Sequence, residues 1–154
     1  CTSGAGTQPV AFIPGTVSSP MVAPNGDVLI AARIESNSTC SGLPPGEYLW
    51  KIVNGVLSIA TTGPNAPRLL DAGNNSNGVS SLAVRADGTV FYAFHNNSPS
   101  SMTLKALKTD NSVVDVPGAP SNAHQVSFGA DGLLYIVDQP NHAVRIFAPP
   151  AVLP

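Results

Sequence analysis

His124-Gln-Val-Ser-Phe-Gly-Ala-Asp-Gly132-Leu-Leu-Tyr-Ile-Val137 reads as two apolar strands joined by a tight turn, and the same pattern occurs twice more upstream. Aligned on the turn glycine, the other copies are Ser18-Ser-Pro-Met-Val-Ala-Pro-Asn-Gly26-Asp-Val-Leu-Ile-Ala31 and Ser80-Ser-Leu-Ala-Val-Arg-Ala-Asp-Gly88-Thr-Val-Phe-Tyr-Ala93. An Asn-Gly or Asp-Gly pair between apolar runs predicts a hairpin with a two-residue turn, because such a turn needs φ > 0 at its centre. After each turn the apolar run is nearly unbroken, from Val28 to Ala32, Val90 to Phe94 and Leu133 to Val137. That is the pattern of a strand covered on both faces.

The repeat extends outward from each hairpin. A third strand follows with a basic residue in the same register: Leu49-Trp50-Lys51-Ile52-Val53, Thr103-Leu104-Lys105-Ala106-Leu107 and Ala143-Val144-Arg145-Ile146-Phe147. Two copies continue into a further turn and a fourth strand, Asn54-Gly55 before Val56 to Ala60, and Asp110-Asn111 before Val113 to Val116. The last copy lacks a fourth strand, but Val10-Ala-Phe-Ile-Pro14-Gly15 precedes the first hairpin as Val113-Val-Asp-Val-Pro117-Gly118 precedes the third. The expected fold is therefore all-β, a β-propeller segment of three four-stranded blades at about 17–60, 78–117 and 122–148. An N-terminal strand, 9–14, is available to complete the last blade. Residues 1–154 form one propeller domain or half-propeller.

Composition agrees with this fold. Of 154 residues, 43% are hydrophobic and only 10% charged, against roughly 25% charged in an average soluble protein. Fifteen prolines and 14 glycines punctuate the chain too often for long helices. The turn glycines are unevenly spaced, since 62 residues separate Gly26 from Gly88 and 44 separate Gly88 from Gly132. A propeller blade needs about 40–50. The first blade must carry insertions, visible at Glu35 to Gly46, at Gly63-Pro-Asn-Ala-Pro67 and at Gly73 to Gly78.

The stretch Ala130-Asp-Gly-Leu-Leu-Tyr-Ile-Val-Asp-Gln-Pro-Asn-His-Ala-Val-Arg-Ile-Phe147 resembles an NHL repeat, whose signature is a DG turn, an apolar strand ending in Asp, and Asn-His before the next strand. The resemblance is good over residues 122–148, fair over 78–117 and weak over 17–60. More distantly, the chain is similar to propellers of the gluconolactonase and strictosidine-synthase type. Propellers host binding, scaffolding and catalysis alike, so the resemblance implies a fold more than an activity.

Three blades do not close a ring, which takes about four to eight. The expected partner is another protein or a second copy, with a homodimer forming a six-bladed ring as one arrangement. The two cysteines, Cys1 and Cys40, would pair as a disulfide in an oxidising compartment. Alternatively, Cys1 is the lipidated residue of a bacterial lipoprotein. Both readings place the protein outside the cytoplasm, in the extracellular space, the periplasm or at the cell surface. Two unrelated free thiols are the bland alternative. Sequons at Asn37, Asn74 and Asn96 are candidate glycosylation sites in predicted loops, at a frequency that composition alone would supply. No apolar stretch reaches the roughly 20 residues of a transmembrane helix.

In metal-dependent propellers of the resembled families, ligands sit where each blade's first strand begins. Counting back from the turn glycines places Ser18, Ser80 and His124 there, with Asn77 and Asn122 near the mouth. The resemblance implies Glu, Asn and Asp at such positions for gluconolactonase-like enzymes and histidines for zinc-dependent amidating lyases. Only His124 matches a ligand type, and one ligand cannot hold zinc or calcium. The expectation is no catalytic residue and no cofactor, with a divalent metal at His124 as the alternative. His142 belongs to the repeat's own turn, with its ring expected against the strand. His95 is expected to be exposed, and Asp138 to cap the following turn. No nucleophile elbow, Walker loop or His-Glu-X-X-His motif is present.

Nucleic acid is excluded on charge, since seven Lys and Arg are offset by nine acids for a net charge of −2. Two function classes remain. The first is an extracellular, non-catalytic module for binding a protein or glycan, or for assembly. The second is a metal-dependent lactonase or lyase with its site at the central channel.

Overall fold

The computed structural model describes residues 18, 20–34, 43–53, 56–58, 62–72, 78–97 and 100–154. The expected N-terminal strand at 9–14, both cysteines, Asn37, Asn74 and Asn77 lie outside the described residues. The protein is all-β, with β1 (Met21–Val22), β2 (Val28–Ile34), β3 (Gly46–Val53), β4 (Val56–Leu57), β5 (Arg68–Ala72), β6 (Gly78–Val84), β7 (Val90–Asn97), β8 (Ser100–Leu107), β9 (Val113–Asp115), β10 (Ala123–Phe128), β11 (Leu134–Asp138) and β12 (Ala143–Phe147). Among the described residues, the one helical piece is the 3-10 turn Gln139–Asn141. The strands form three antiparallel sheets: β1 to β5, β6 to β9, and β10 to β12.

The hairpin turns are one residue longer than the sequence predicts. Ala23 N donates to Asp27 O and Gly26 N to Ala23 O, and the same two bonds recur at Arg85, Thr89 and Gly88 and at Gly129, Leu133 and Gly132. Each loop thus has three residues, with a left-handed glycine at the last, at φ +87° in Gly26 and Gly88 and +76° in Gly132. This is a type I turn closed by a glycine bulge. The preceding Asn or Asp selects it over the two-residue form by a side-chain bond to the residue beyond the glycine: Asn25 Oδ1 accepts from Asp27 N, Asp87 Oδ1 from Thr89 N, and Asp131 Oδ1 from Leu133 N. The β8–β9 turn repeats the geometry with Asn111 at φ +69°.

The first sheet departs from the expected outer strand at Val56 to Ala60. Among the described residues β4 covers Val56 and Leu57, against Val53 and Ile52 of β3, and Ile59 and Ala60 lie outside them. The other half of that edge is taken by β5, which pairs Ala72 with Gly46 and Arg68 with Leu49. Two short strands therefore share the fourth position, and this sheet extends to Ala72 rather than ending near residue 60.

The sheets stack face to face with the second in the middle. One core joins Leu29, Ala31, Leu49 and Leu70 of the first sheet to Leu82, Val90, Tyr92 and Phe94 of the second. The other joins Ala83, Phe91, Ala93 and Leu104 of the second sheet to Val126, Leu134 and Ile136 of the third. Alternate residues of β7 supply each core, which explains its unbroken apolar run. Phe91 packs edge-on to Phe128 at 5.5 Å between centroids. Beyond β12 the chain turns back as a strap over the second sheet: Leu153 is buried in the second core, Arg85 Nη1 donates to Pro150 O at 2.9 Å, and Lys108 Nζ donates to Pro154 O at 3.0 Å.

Candidate functional site

Of the repeat positions singled out in the sequence, Ser80 and His124 meet, at the ends of their sheets opposite the glycine turns. Ser80 and His124 each occupy a register shift, between Val79 and Ser81 in β6 and between Ala123 and Gln125 in β10. The Ser80 hydroxyl donates to His124 O at 2.7 Å. Next to it, Ser81 Oγ accepts from Val126 N at 3.1 Å and donates to Val126 O at 3.3 Å. Ser18 makes the corresponding local contact in the first sheet, where its N–H donates to Ala31 O and its Oγ accepts from Ala31 N. Ser80 and Ser81 stitch the first strands of the second and third sheets together, whereas Ser18 bonds within the first sheet. Their hydroxyls are committed to backbone.

His124 is half-buried, and among the described residues no three His, Cys, Asp or Glu side chains form a group able to hold a metal ion. Asn122 has φ +66° and its N–H donates to Met102 O. An asparagine suits that left-handed position for backbone reasons. His95 and Asn96 lie inside β7 and are half-buried, paired with Met102 and Ser101. The expected exposed His95 and the expected loop at Asn96 are corrected by the length of β7, which runs on to Asn97. His142 is exposed, with φ +50°, and its N–H donates to Gln139 O. Its identity follows from the left-handed turn, not from the expected ring packing.

Asp138 does more than punctuate the strand. It is 1% exposed, and Asn141 Nδ2 donates to both of its oxygens at 2.8 and 2.9 Å. Arg145 Nε donates to Oδ2 at 2.6 Å. The Arg145 bond, followed by that from Asn141, holds the Asp138 carboxyl below the usual carboxylate range. Asp138, Asn141 and Arg145 thereby tie the 3-10 turn to β12.

Two features were missed in the sequence. The first is a polar cluster between the first and second sheets. Arg33 and Glu47 are register partners, Glu47 is in turn opposite Asp71, and Arg33 and Glu47 are both buried. The Tyr92 hydroxyl, which donates to Leu70 O, is made less acidic by burial first and then by the charges of Asp71, Asp115 and Glu47. The second is an apolar surface. On the third sheet's outer face, Tyr135 lies opposite Ile146 and Val137 opposite Val144, and Val144 and Ile146 are each 63% exposed. The outward alternation of β12 was a signal for it, hidden by the basic residue between them. Among the described residues, no strand pairs with the far edge of β12.

Comparison of the chain with protein-family models and with curated proteins finds no match.

Proposed function

We propose that this chain is a three-blade segment of a β-propeller of the NHL-repeat type, working outside the cytoplasm as a non-catalytic binding and assembly module. The observation that carries this reading is the outer face of the third sheet. Its Val144 and Ile146 are exposed, although the equivalent alternation in the second sheet is covered on both sides. Exposed β-branched side chains two residues apart on one sheet face offer apolar surface that another protein layer would cover. The occupant we assign is a second copy. On the face of its first sheet turned away from the second, Ala32, Tyr48 and Trp50 are buried within the chain, and Ile30 and Ile52 are the half-buried apolar residues beside them. A two-fold pair would cover the third sheet of each copy with the other and set six blades in one ring.

Native mass spectrometry combined with sedimentation equilibrium tests it. A dimer is expected for the wild type and a monomer for Ile146→Lys. A wild type that stays monomeric up to its solubility limit, or a variant that dimerises as well as the wild type, overturns the assembly reading. The extracellular assignment rests on Cys1 and Cys40, and a thiol assay on denatured, unreduced protein is expected to find no free thiol.

A further inference from the structure

At the glycine-turn end, the first and second sheets diverge around a cleft of about 390 Å³, within the size range of small-molecule sites. Its walls are Pro24, Ala23 and Leu29 on one side and Val84, Ala86 and Val90 on the other, with Arg68 of β5 also lining it. The charged residues of the walls are matched in pairs. Lys51 Nζ lies 2.7 Å from Asp27 Oδ2, and Arg85 Nη2 lies 2.6 Å from Asp87 Oδ2. Arg68 differs. Its Nε donates to Asn111 Oδ1 at 2.6 Å and its Nη2 to Lys108 O, and among the described residues it forms no ion pair with a carboxylate.

The geometry of that guanidinium decides the chemistry. A guanidinium has five N–H groups in a planar fork. The Nε edge of Arg68 is spent on the β8–β9 turn, which fixes the plane of the group, and the Nη1 N–H groups remain. Two ion pairs and Arg68 leave the residues that line the cleft with one positive charge in excess, while Asp110 on the β8–β9 turn acts on Arg68 from outside that lining. Burial disfavours the charged form of Arg68, Asp110 offsets part of that cost, and a bound anion would offset more of it. A planar carboxylate matches the fork, and the aliphatic walls suit an apolar body behind it.

We infer that this cleft is a binding site for a small organic carboxylate with an apolar body, whose carboxylate pairs with Arg68 and whose body lies against Pro24 and Ala86, above the packed Leu29, Val84 and Val90. The site stands independently of the assembly reading, because it lies between the first two sheets and uses neither Val144 nor Ile146.

The test is ligand-observed NMR and calorimetric titration of the full chain with hexanoate and its neutral isostere hexanamide. Saturable hexanoate binding is expected, with hexanamide at least about tenfold weaker. Arg68→Gln removes the charge and is expected to weaken hexanoate by about tenfold or more while leaving hexanamide unchanged. Because Arg68 also braces two sheets, a second variant, Ala86→Trp, fills the cleft mouth from an exposed turn without touching the Arg68 bonds, and it is expected to abolish binding of both probes. No saturable hexanoate binding, equal binding of the two probes, or undiminished binding in Ala86→Trp overturns the proposal.

Discussion

Ser80 Oγ sits 2.7 Å from the carbonyl oxygen of His124, so the first strands of two different sheets are joined by a side chain at the same repeat position. The neighbouring Ser81 forms the stronger stitch, because it serves both the N–H and the carbonyl of the buried Val126.

Removing these hydroxyls should have unequal effects. Ser80→Ala loses an exposed hydroxyl that donates to His124 O, with Ala93 O as a longer second acceptor, and should cost about 1 kcal/mol. Ser81→Ala leaves the Val126 N–H without its partner and should cost about 1–3 kcal/mol. Urea denaturation of the two variants checks the order, and equal losses would show that the Ser81 bonds are not made.

Gly46 should not tolerate a side chain. A Cβ there would lie 2.8 Å from Asp71 O and 3.1 Å from Leu69 Cδ1, at the point where β3 and β5 pair. Gly46→Ala is expected to destabilise the protein by about 1–3 kcal/mol, the usual cost of overpacking. A melting temperature equal to the wild type would mean that β5 does not hold the second half of that edge.

The layered stack predicts a contrast between apolar residues. Phe91 is fully buried between sheets and packed on Phe128, so Phe91→Ala should cost about 3–5 kcal/mol. Ile146→Ala, on the outer face, should change the stability of the dissociated chain by no more than about 0.5 kcal/mol. Denaturation at high dilution measures both. A large loss at Ile146 would show that its face is covered within one chain.

Acid should weaken the fold through depressed carboxylates. The Arg85 hydrogen bond, aided by Thr89, holds Asp87 at about 2 against an ordinary 3.8, and Asp138 is lowered by Arg145 and Asn141. A group depressed in the folded state stabilises above its ordinary pKa, and that contribution is lost as pH falls through the folded value. Stability is therefore expected to decline from about pH 4 towards about pH 2, less steeply in Asp87→Asn. A decline confined to pH values above 5 would assign acid sensitivity to other groups.

Much of the fold was legible because repeats report themselves. The glycines at 26, 88 and 132 marked three hairpins, and the basic residue of each third strand marked its register. The two-residue turn was the wrong form because the Asn or Asp side chain acts beyond the pair that defines the motif. The sharing of one edge by β4 and β5 could not be read from Val56 to Ala60, since it depends on where β5 returns. The same limit applies to Arg33 opposite Glu47: cross-strand pairing between β2 and β3 buries both charges, and neither residue's neighbours in sequence announce it. The repeat positions Ser80 and His124 meet through the serine hydroxyl and the histidine's carbonyl oxygen, a backbone junction that a reading of side-chain types does not announce.

The strap formed by residues beyond Phe147 gives the chain a mechanical property. Tension applied at Pro154 would load Lys108 first, then the Leu153 anchor and the grip of Arg85 on Pro150. The pull would be delivered to the middle layer, and β12, which pairs only with β11 among the described residues, would be shielded from being peeled strand by strand. A tether attached at that end would be expected to resist force as a bolted plate does, yielding late and all at once.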